Sequence, residues 1–289
     1  MPGPRKSLHV PAGHRRDRQP LGEATRGKTA PNRLRRLDLW LLRTEQPLLL
    51  REDRTPFVDL GYGRVPRTTL ESARALRRLR ADLPVVGVEV DPERVAVARP
   101  FEDAITRFRR GGFELPLGVV KGEPPKARVV RAMNVLRQYE EPAARAAWSV
   151  IGERLAPGGL LIEGTCSPFG RLMAVQLLRG TDDGLVDEGL LFSTNFRTEE
   201  PPTPSAFRAV LPKHLIHRVV PGTAIHHLMT EWEAAWARAR VVEAFGRRQL
   251  WVRAARELGS AGVDVWEDPW TLRRGFLLVR GLGIEADAS

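Results

Sequence analysis

The sequence predicts an α/β fold, a mostly parallel sheet with helices on both faces. Short apolar segments alternate with helical segments over residues 55–197. A turn with two glycines, Gly61 and Gly63, follows the first apolar segment, and tight turns of this kind need glycine. The second apolar segment ends in carboxylates, Glu89 and Asp91. Alternation at this spacing implies parallel strands joined by right-handed crossovers.

The individual elements follow from hydrophobic periodicity and from residues that begin or end helices. Asn32 is a candidate cap for the first helix, and Pro66 suits the first position of the next. The predicted strands are Phe57–Leu60, Val85–Val90, Phe113–Leu117, Arg128–Val135, Gly159–Thr165, Gly189–Asn195 and Gly275–Arg280. The predicted helices are 33–50, Pro66–Arg80, Glu93–Arg109, Glu141–Leu155, Gly170–Leu178, Ala224–Phe245 and Arg247–Leu258.

Composition divides the chain into five segments. Residues 1–32 are basic and lack an apolar pattern, so we expect a disordered tail. Residues 33–54 form an N-terminal helix, and residues 55–197 form the core that binds a cofactor. Residues 198–271 hold four of the six histidines and separate the last two strands, so we expect a helical insertion that covers the substrate. Residues 272–289 are the last core strand and a C-terminal tail.

Charge and apolar content limit the partners. The net charge is +11, of which +7 lies in residues 1–40, so the tail is either a solvated extension or a nucleic-acid contact. No apolar run approaches the ~20 residues of a membrane helix, and the N-terminus lacks a signal sequence. The single cysteine, Cys166, suits a reducing compartment. We therefore expect a cytoplasmic protein without a membrane partner.

Four segments together resemble the class I S-adenosylmethionine-dependent methyltransferases. They are Val58–Gly63, Gly87–Glu93, Arg131–Leu136 and Leu155–Glu163. The resemblance covers residues 55–195, about half of the chain. It implies a Rossmann-like, seven-stranded, mostly parallel sheet with an antiparallel last strand, preceded here by the helical insertion.

The resemblance also implies a set of cofactor contacts. Glu89 would hold the ribose hydroxyls, and the turn at 61–63 would pass under the methionine portion. The residues implied for S-adenosyl-L-methionine are Asp59, Gly61, Tyr62, Gly63, Glu89, Val90, Asp91, Asn134 and Val135. Many family members have a third glycine where this chain has Val65, followed by Pro66. Proline has no N–H for a pyrophosphate, which disfavours a dinucleotide.

The catalytic and substrate candidates follow the strand ends and the histidine cluster. His214, His217 and Tyr139 are candidates for removing a proton from the acceptor. Arg137, Gln138 and Glu163 are candidates for binding the substrate, because open α/β sheets bind ligands at the carboxyl ends of their strands. Packing or helix capping is the alternative for each of these residues. The histidines lack the acidic neighbours expected of a metal site.

The sequence therefore predicts a methyltransferase that acts on a small molecule. An RNA methyltransferase guided by the basic tail and a non-catalytic nucleoside-binding protein of the same fold are the alternatives. The sequence names neither the acceptor nor the methylated atom, and it leaves the oligomeric state open.

Overall fold

The apolar segments at 57–60 and 85–89 form two adjacent parallel strands of the sheet, as the sequence predicts. The structure, a computed structural model, describes residues 20–27, 29–118, 125–197 and 202–282. Within these ranges no helix is both long enough and apolar enough to cross a bilayer. The chain divides into two compact units. The first holds the described residues up to Glu163 and Arg179–Val186, and the second holds Gly164–Leu178 and the described residues from Asp187 onward.

The sheet has eight strands in the described part of the chain, where the resemblance implies seven. They are β1 (Phe57–Leu60), β2 (Val85–Glu89), β3 (Thr106–Arg110), β4 (Ala127–Met133), β5 (Leu155–Cys166), β6 (Leu172–Thr181), β7 (Gly184–Thr194) and β8 (Phe276–Val279). Their order is β3-β2-β1-β4-β5-β6-β7-β8. β1 pairs in parallel with β2 and with β4, and β2 pairs in parallel with β3. β8 pairs antiparallel with β7, so the antiparallel last strand is confirmed but the number of strands is not.

The described part of the chain has nine α-helices, two before β1 and seven between strands. They are α1 (Arg35–Thr44), α2 (Gln46–Leu49), α3 (Arg67–Leu76), α4 (Pro92–Ala98), α5 (Glu141–Gly152), α6 (Lys213–Ile216), α7 (Ala224–Ala239), α8 (Arg247–Ser260) and α9 (Pro269–Arg273). The first helix begins after Leu34 and not at Asn32, whose side chain caps nothing there. The helices α6 to α9 all lie between β7 and β8 in the sequence.

Three of the predicted elements are wrong. The predicted helix at 93–109 ends at Ala98, and β3 begins at Thr106, because Pro100 interrupts the helix and residues 106–110 pair with β2. The predicted strand at 113–117 is a turn and loop. The predicted helix at 170–178 is β6, whose almost continuous burial leaves no period that separates a strand from a buried helix.

The second unit has an aromatic core. Phe192 of β7 lies 4.8 Å from Trp232 of α7, measured between ring centroids, and Trp232 lies 5.7 Å from Trp251 of α8. Phe207 packs against all three of these rings. The most buried tryptophans of residues 198–271, Trp232 and Trp251, are therefore core residues.

The predicted disordered tail needs a correction. Residues 20–27 belong to the first unit and form hydrogen bonds with other parts of it. The N–H of Asn32 also donates to Glu71 Oε2 at 2.9 Å. The composition of this segment does not predict these contacts, because the backbone and not the side chains makes most of them. Residues 1–19 and 28 lie outside the described residues.

Candidate functional site

A cleft lies at the carboxyl ends of β1, β2 and β4. Its sheet side is formed by loop and strand-end residues, and its other side by the N-terminal segment. The lining residues are Leu21, Gly22, Glu23, Thr25, Leu60, Gly61, Glu89, Val90, Gly111, Gly112, Phe113, Val135 and Tyr139. The cavity that they enclose has a volume of about 10 Å³. Five of them, Gly61, Glu89, Val90, Val135 and Tyr139, are residues that the sequence predicted for the site.

The turn after β1 has the conformation that its glycines predict. Gly61 has φ 71°, in the left-handed region. A Cβ atom at Gly61 would lie 2.7 Å from Cγ2 of Val135, which is closer than van der Waals contact allows. A side chain here would therefore strain the turn and push Val135 away, so this floor of the cleft requires glycine.

Glu89 is fixed at the edge of the cleft with a side chain that is 1% exposed. Its Oε2 accepts a hydrogen bond from the N–H of Gly63 at 2.9 Å, and its Oε1 accepts one from the N–H of Val90 at 3.0 Å. Arg94 Nη1 lies 3.5 Å from the same Oε2. These contacts hold one rotamer of a charged carboxylate, which keeps it ready to accept from hydroxyl donors.

Asp59 does not line the cleft, although it was predicted to contact the cofactor. Its two oxygens accept from Arg131 Nε at 3.0 Å and from the hydroxyl of Thr69 at 2.7 Å. Arg131 also donates to Asp38 Oδ1 at 2.9 Å and to the hydroxyl of Ser72 at 2.7 Å. Burial raises the pKa of Asp38 to about 6, against the opposing effect of Arg131. Asp59 therefore belongs to a buried network that holds α1 and α3 against β4.

Three further residues implied for the cofactor, Asp91, Tyr62 and Asn134, are not among the residues that line the cleft. Asp91 caps α4, because its Oδ1 accepts from the N–H of Glu93 at 2.9 Å. The Tyr62 ring packs edge-on against Phe108, and burial raises the pKa of its hydroxyl. Asn134 has φ 61°, an uncommon conformation for a residue other than glycine, and it directly precedes Val135.

Two residues after β4 contact the N-terminal segment. Gln138 Nε2 donates to the carbonyl of Glu23 at 3.0 Å, and the N–H of Glu23 donates to the hydroxyl oxygen of Tyr139. Burial raises the pKa of Tyr139 to about 12. A phenol with such a pKa stays protonated near neutral pH, which disfavours Tyr139 as a proton acceptor. Arg137 is exposed.

Glu163 on β5 is 1% exposed. Desolvation raises the pKa of its carboxyl to about 8, with no charged partner contributing. The side chain is therefore neutral near pH 7 and can donate a hydrogen bond, which an ionised carboxylate cannot do.

The histidine candidates lie in the second unit. His214 on α6 is buried, and its Nε2 lies 3.3 Å from Oε1 of Gln176. His217 is exposed, with its Nε2 3.2 Å from Nζ of Lys213. Gln176 Nε2 donates to the carbonyl of Gly189 at 3.0 Å and also to Asp187. Because both amide protons are used, Oε1 must accept from His214, so the proton of a neutral His214 lies on Nε2.

Sequence reasoning missed part of the cleft. Arg94, Gly111 and Gly112 lie at or beside it, and so do the N-terminal residues 21–25. The two consecutive glycines at 111–112 could have indicated a close approach of another backbone segment. The sequence around them does not indicate that they belong to the same site as Gly61. Within the described ranges, no cluster of histidine, cysteine and acidic residues could hold a metal ion.

Comparisons with known proteins give a distant result. No family model matches the chain, and no curated protein matches it. Among solved structures, it is similar to the magnesium protoporphyrin IX methyltransferase ChlM from Synechocystis PCC 6803 with bound SAH. The identity is 16%, the alignment covers 46% of this chain and 54% of that one, and the TM-score is 0.34.

Two other solved structures are similar at the same level. One is the complex between the Haloferax volcanii Trm112 methyltransferase activator and the putative methyltransferase, with 22% identity, 46% and 58% of the two chains covered and a TM-score of 0.30. The other is the plantazolicin methyltransferase BamL with SAH, with 11% identity, 47% and 46% covered and a TM-score of 0.35. The chain spans about half the length of these structures. At such TM-scores they carry no conclusion about its activity.

Proposed function

We propose that this chain is an S-adenosylmethionine-dependent methyltransferase that acts on a small-molecule acceptor. The observation that carries the proposal is the cleft in which the Gly61 turn, the Glu89 carboxylate and Val135 lie together. These are the residues that the sequence resemblance implies for the methionine, ribose and sulfonium portions of the cofactor.

The chemistry of the cleft fits a nucleoside with a vicinal diol. Glu89 is a charged acceptor with a fixed rotamer, and each carboxylate oxygen has more than one acceptor position. The glycine turn lets a ligand approach the backbone closely. The N-terminus of α3 begins after Pro66, which offers no N–H to a phosphate. The site therefore suits a nucleoside without phosphates better than a dinucleotide.

The cofactor supplies an electrophilic methyl group, and this chain's residues would supply position and a dry environment. Glu89 would hold the ribose, the turn at Gly61 would support the amino-acid portion, and Val135 would exclude water beside the reacting centre. Because the displacement is in line, alignment of the acceptor can provide much of the rate enhancement.

We expect S-adenosylmethionine and S-adenosylhomocysteine to bind, and NAD not to bind. Isothermal titration of the full chain with each of the three ligands tests this. The reason is the acceptor at Glu89 together with the missing N–H donor at Pro66. Binding of NAD with no heat from either sulfur-containing nucleoside would overturn the proposal.

We expect Glu89→Gln to weaken S-adenosylhomocysteine binding by about 1.5–3 kcal/mol, which is the range for hydrogen bonds to a charged group. That corresponds to roughly a 10- to 150-fold higher Kd. Glu93→Gln, an exposed change in the first turn of α4, is the matched control and should bind as the wild type does. Equal Kd values for the two variants would show that Glu89 does not hold the ribose.

Two alternatives remain from the sequence. If the chain is an RNA methyltransferase, RNA and no metabolite should accept the labelled methyl group. If the chain is a non-catalytic nucleoside-binding protein, the cofactor should bind and no methyl group should be transferred to either class of acceptor. Incubation of the protein with labelled S-adenosylmethionine and, separately, with metabolite extract and total RNA distinguishes all three.

A further inference from the structure

The N-terminal segment 20–27, here called the strap, crosses the mouth of the cleft. Its first anchor is the loop after β3. The N–H of Phe113 donates to the carbonyl of Leu21 at 2.9 Å, and the N–H of Leu21 donates to Glu114 Oε2 at 2.9 Å. Both backbone groups of Leu21 are therefore bonded to this loop, which fixes the start of the strap.

The loop is shaped for this contact. A Cβ atom at Gly112 would lie 1.8 Å from the carbonyl oxygen of Leu21, so any side chain there would displace the strap. Glu114 supports both sides, because its Oε1 accepts from the N–H of Gly112 at 2.9 Å. The close approach requires glycine, so the strap is seated in a groove that the chain makes for it.

The middle of the strap is held by residues that follow β4. Gln138 and Tyr139 bond the carbonyl and the N–H of Glu23, so both backbone groups of one residue are satisfied by side chains of the first unit. If the segment only passed over the surface, the N–H and the carbonyl of Glu23 would form hydrogen bonds with water instead.

Arg94 connects the far end of the strap to the carboxylate side of the cleft. Its Nη2 donates to the carbonyl of Thr25 at 2.8 Å, and its Nε lies 3.2 Å from Asp91 Oδ2. Its Nη1 lies 3.5 Å from Glu89 Oε2, is buried and has no hydrogen-bond acceptor. One guanidinium thus contacts the strap and the proposed ribose carboxylate, and it has a donor available for a ligand.

The space beneath the strap is small for a ligand. The cavity among the lining residues has a volume of only about 10 Å³, whereas small-molecule pockets usually have about 300–1,000 Å³. Strap residues Leu21 to Thr25 form one side of that space. Entry of a nucleoside with an amino-acid side chain therefore requires the strap to move.

We propose that the strap is a movable wall of the nucleoside site and that Arg94 latches it closed. The proposal rests on the proposed function for the identity of the ligand. The strap opens to admit the ligand and closes again, with Arg94 bonding Thr25, Glu89 and an acceptor on the ligand. Binding at Glu89 and closure of the strap are then coupled through a single side chain.

Cleavage by trypsin after Arg26 measures opening of the strap. The Arg26 side chain is exposed, but the backbone on either side of it is held by hydrogen bonds to the carbonyls of Thr25 and Gly27 until the strap opens. Mass spectrometry of the full chain identifies that cut. We expect Arg94→Met to accelerate this cut about tenfold without ligand, and Arg94→Lys to have a smaller effect. Arg99→Met, an exposed change just after α4, is the matched control. Tyr139→Phe removes a different contact of the strap, the hydrogen bond from the N–H of Glu23, and should also accelerate the cut. Because two different variants are tested, a folding defect in one of them cannot by itself produce the result.

Saturating S-adenosylhomocysteine should slow the cut in the wild type about tenfold or more, and should slow it less in Arg94→Met. The proposal is overturned if the cut is equally fast in the wild type, Arg94→Met and Tyr139→Phe. It is also overturned if the ligand binds and leaves the wild-type cut unchanged. If titration detects no binding while both variants still accelerate the cut, the proposed function fails and the latched strap stands.

Discussion

Replacing Arg131 by methionine should lower the free energy of unfolding by about 3–5 kcal/mol, the usual cost of removing one partner from a buried ion pair. Arg131 is 0% exposed and pairs with Asp38 and Asp59, which are 4% and 3% exposed. Methionine has a similar length but no charge, so the variant leaves two carboxylates buried without their cation. Urea denaturation at pH 7.5, followed by circular dichroism, measures the loss.

The matched control for this variant is Arg74→Met. It makes the same change of charge at an exposed position on α3, and it should alter stability by no more than about 0.5 kcal/mol. Arg131→Lys should retain part of the stability, because lysine keeps the charge but lacks the fork that bonds Asp59 through two nitrogens. Equal denaturation midpoints for Arg131→Met and Arg74→Met would contradict a role of the network in stability.

Acid should partly rescue Arg131→Met. Without the guanidinium, the Asp38 carboxyl loses the charge that opposes its desolvation, so its pKa should rise above the value of about 6 that it has now. Lowering the pH to 5 then protonates the carboxyl and removes a buried charge. The stability gap between the variant and the wild type should therefore be narrower at pH 5 than at pH 8.

Glu163→Gln should stabilise the protein at pH 8 by several kcal/mol and leave it nearly unchanged at pH 4.5. The pKa of Glu163 is about 8 in the folded state and 4.5 in the reference state. The folded protein therefore binds more protons between these values, and stability falls as the pH rises, by up to about 1.4 kcal/mol per pH unit. Over the whole window the loss is on the order of 4 kcal/mol.

Denaturation curves from pH 4.5 to pH 9 for the wild type and Glu163→Gln test this prediction. The glutamine is always neutral, so its curve should lack the decline. The pKa of Asp38 is raised as well, but that effect is present in both proteins and cancels in the difference. Glu153→Gln, at an exposed position, should follow the wild type. Parallel curves for the wild type and Glu163→Gln would show that the Glu163 carboxyl is not desolvated in solution.

The strap changes one expectation about truncation. Composition alone predicts that residues 1–30 are dispensable, because they lack the apolar residues of a core. The contacts of residues 20–27 with the loop after β3, with Gln138 and Tyr139, and with Arg94 make that segment part of the cleft. We therefore expect a truncation before residue 20 to be tolerated better than one before residue 28, measured by S-adenosylhomocysteine affinity.

Local patterns in the sequence determined the parts of the fold that depend on local geometry. Phe57–Leu60 is a strand as predicted, and the Gly61 turn adopts the positive φ that its residue type allows. Glu89 ends the second strand with its side chain at the cleft. Strand burial, turn conformation and helix periodicity are all encoded within a few residues, so reading the chain segment by segment recovers them.

Only the tertiary structure decided which groups meet across long stretches of chain. Asp59 in β1 could serve a ligand or a buried cation, and Arg131, 72 residues away, bonds it in the protein. The strap binds through backbone N–H and carbonyl groups, which every residue except proline possesses, so its sequence carries no sign of the contact. β6 is almost continuously buried, and its neighbours in the sheet, not its own pattern, make it a strand. Packing determines which groups pair with buried charges and backbone groups. Because packing brings together segments that are distant in the sequence, local sequence patterns do not predict these pairs.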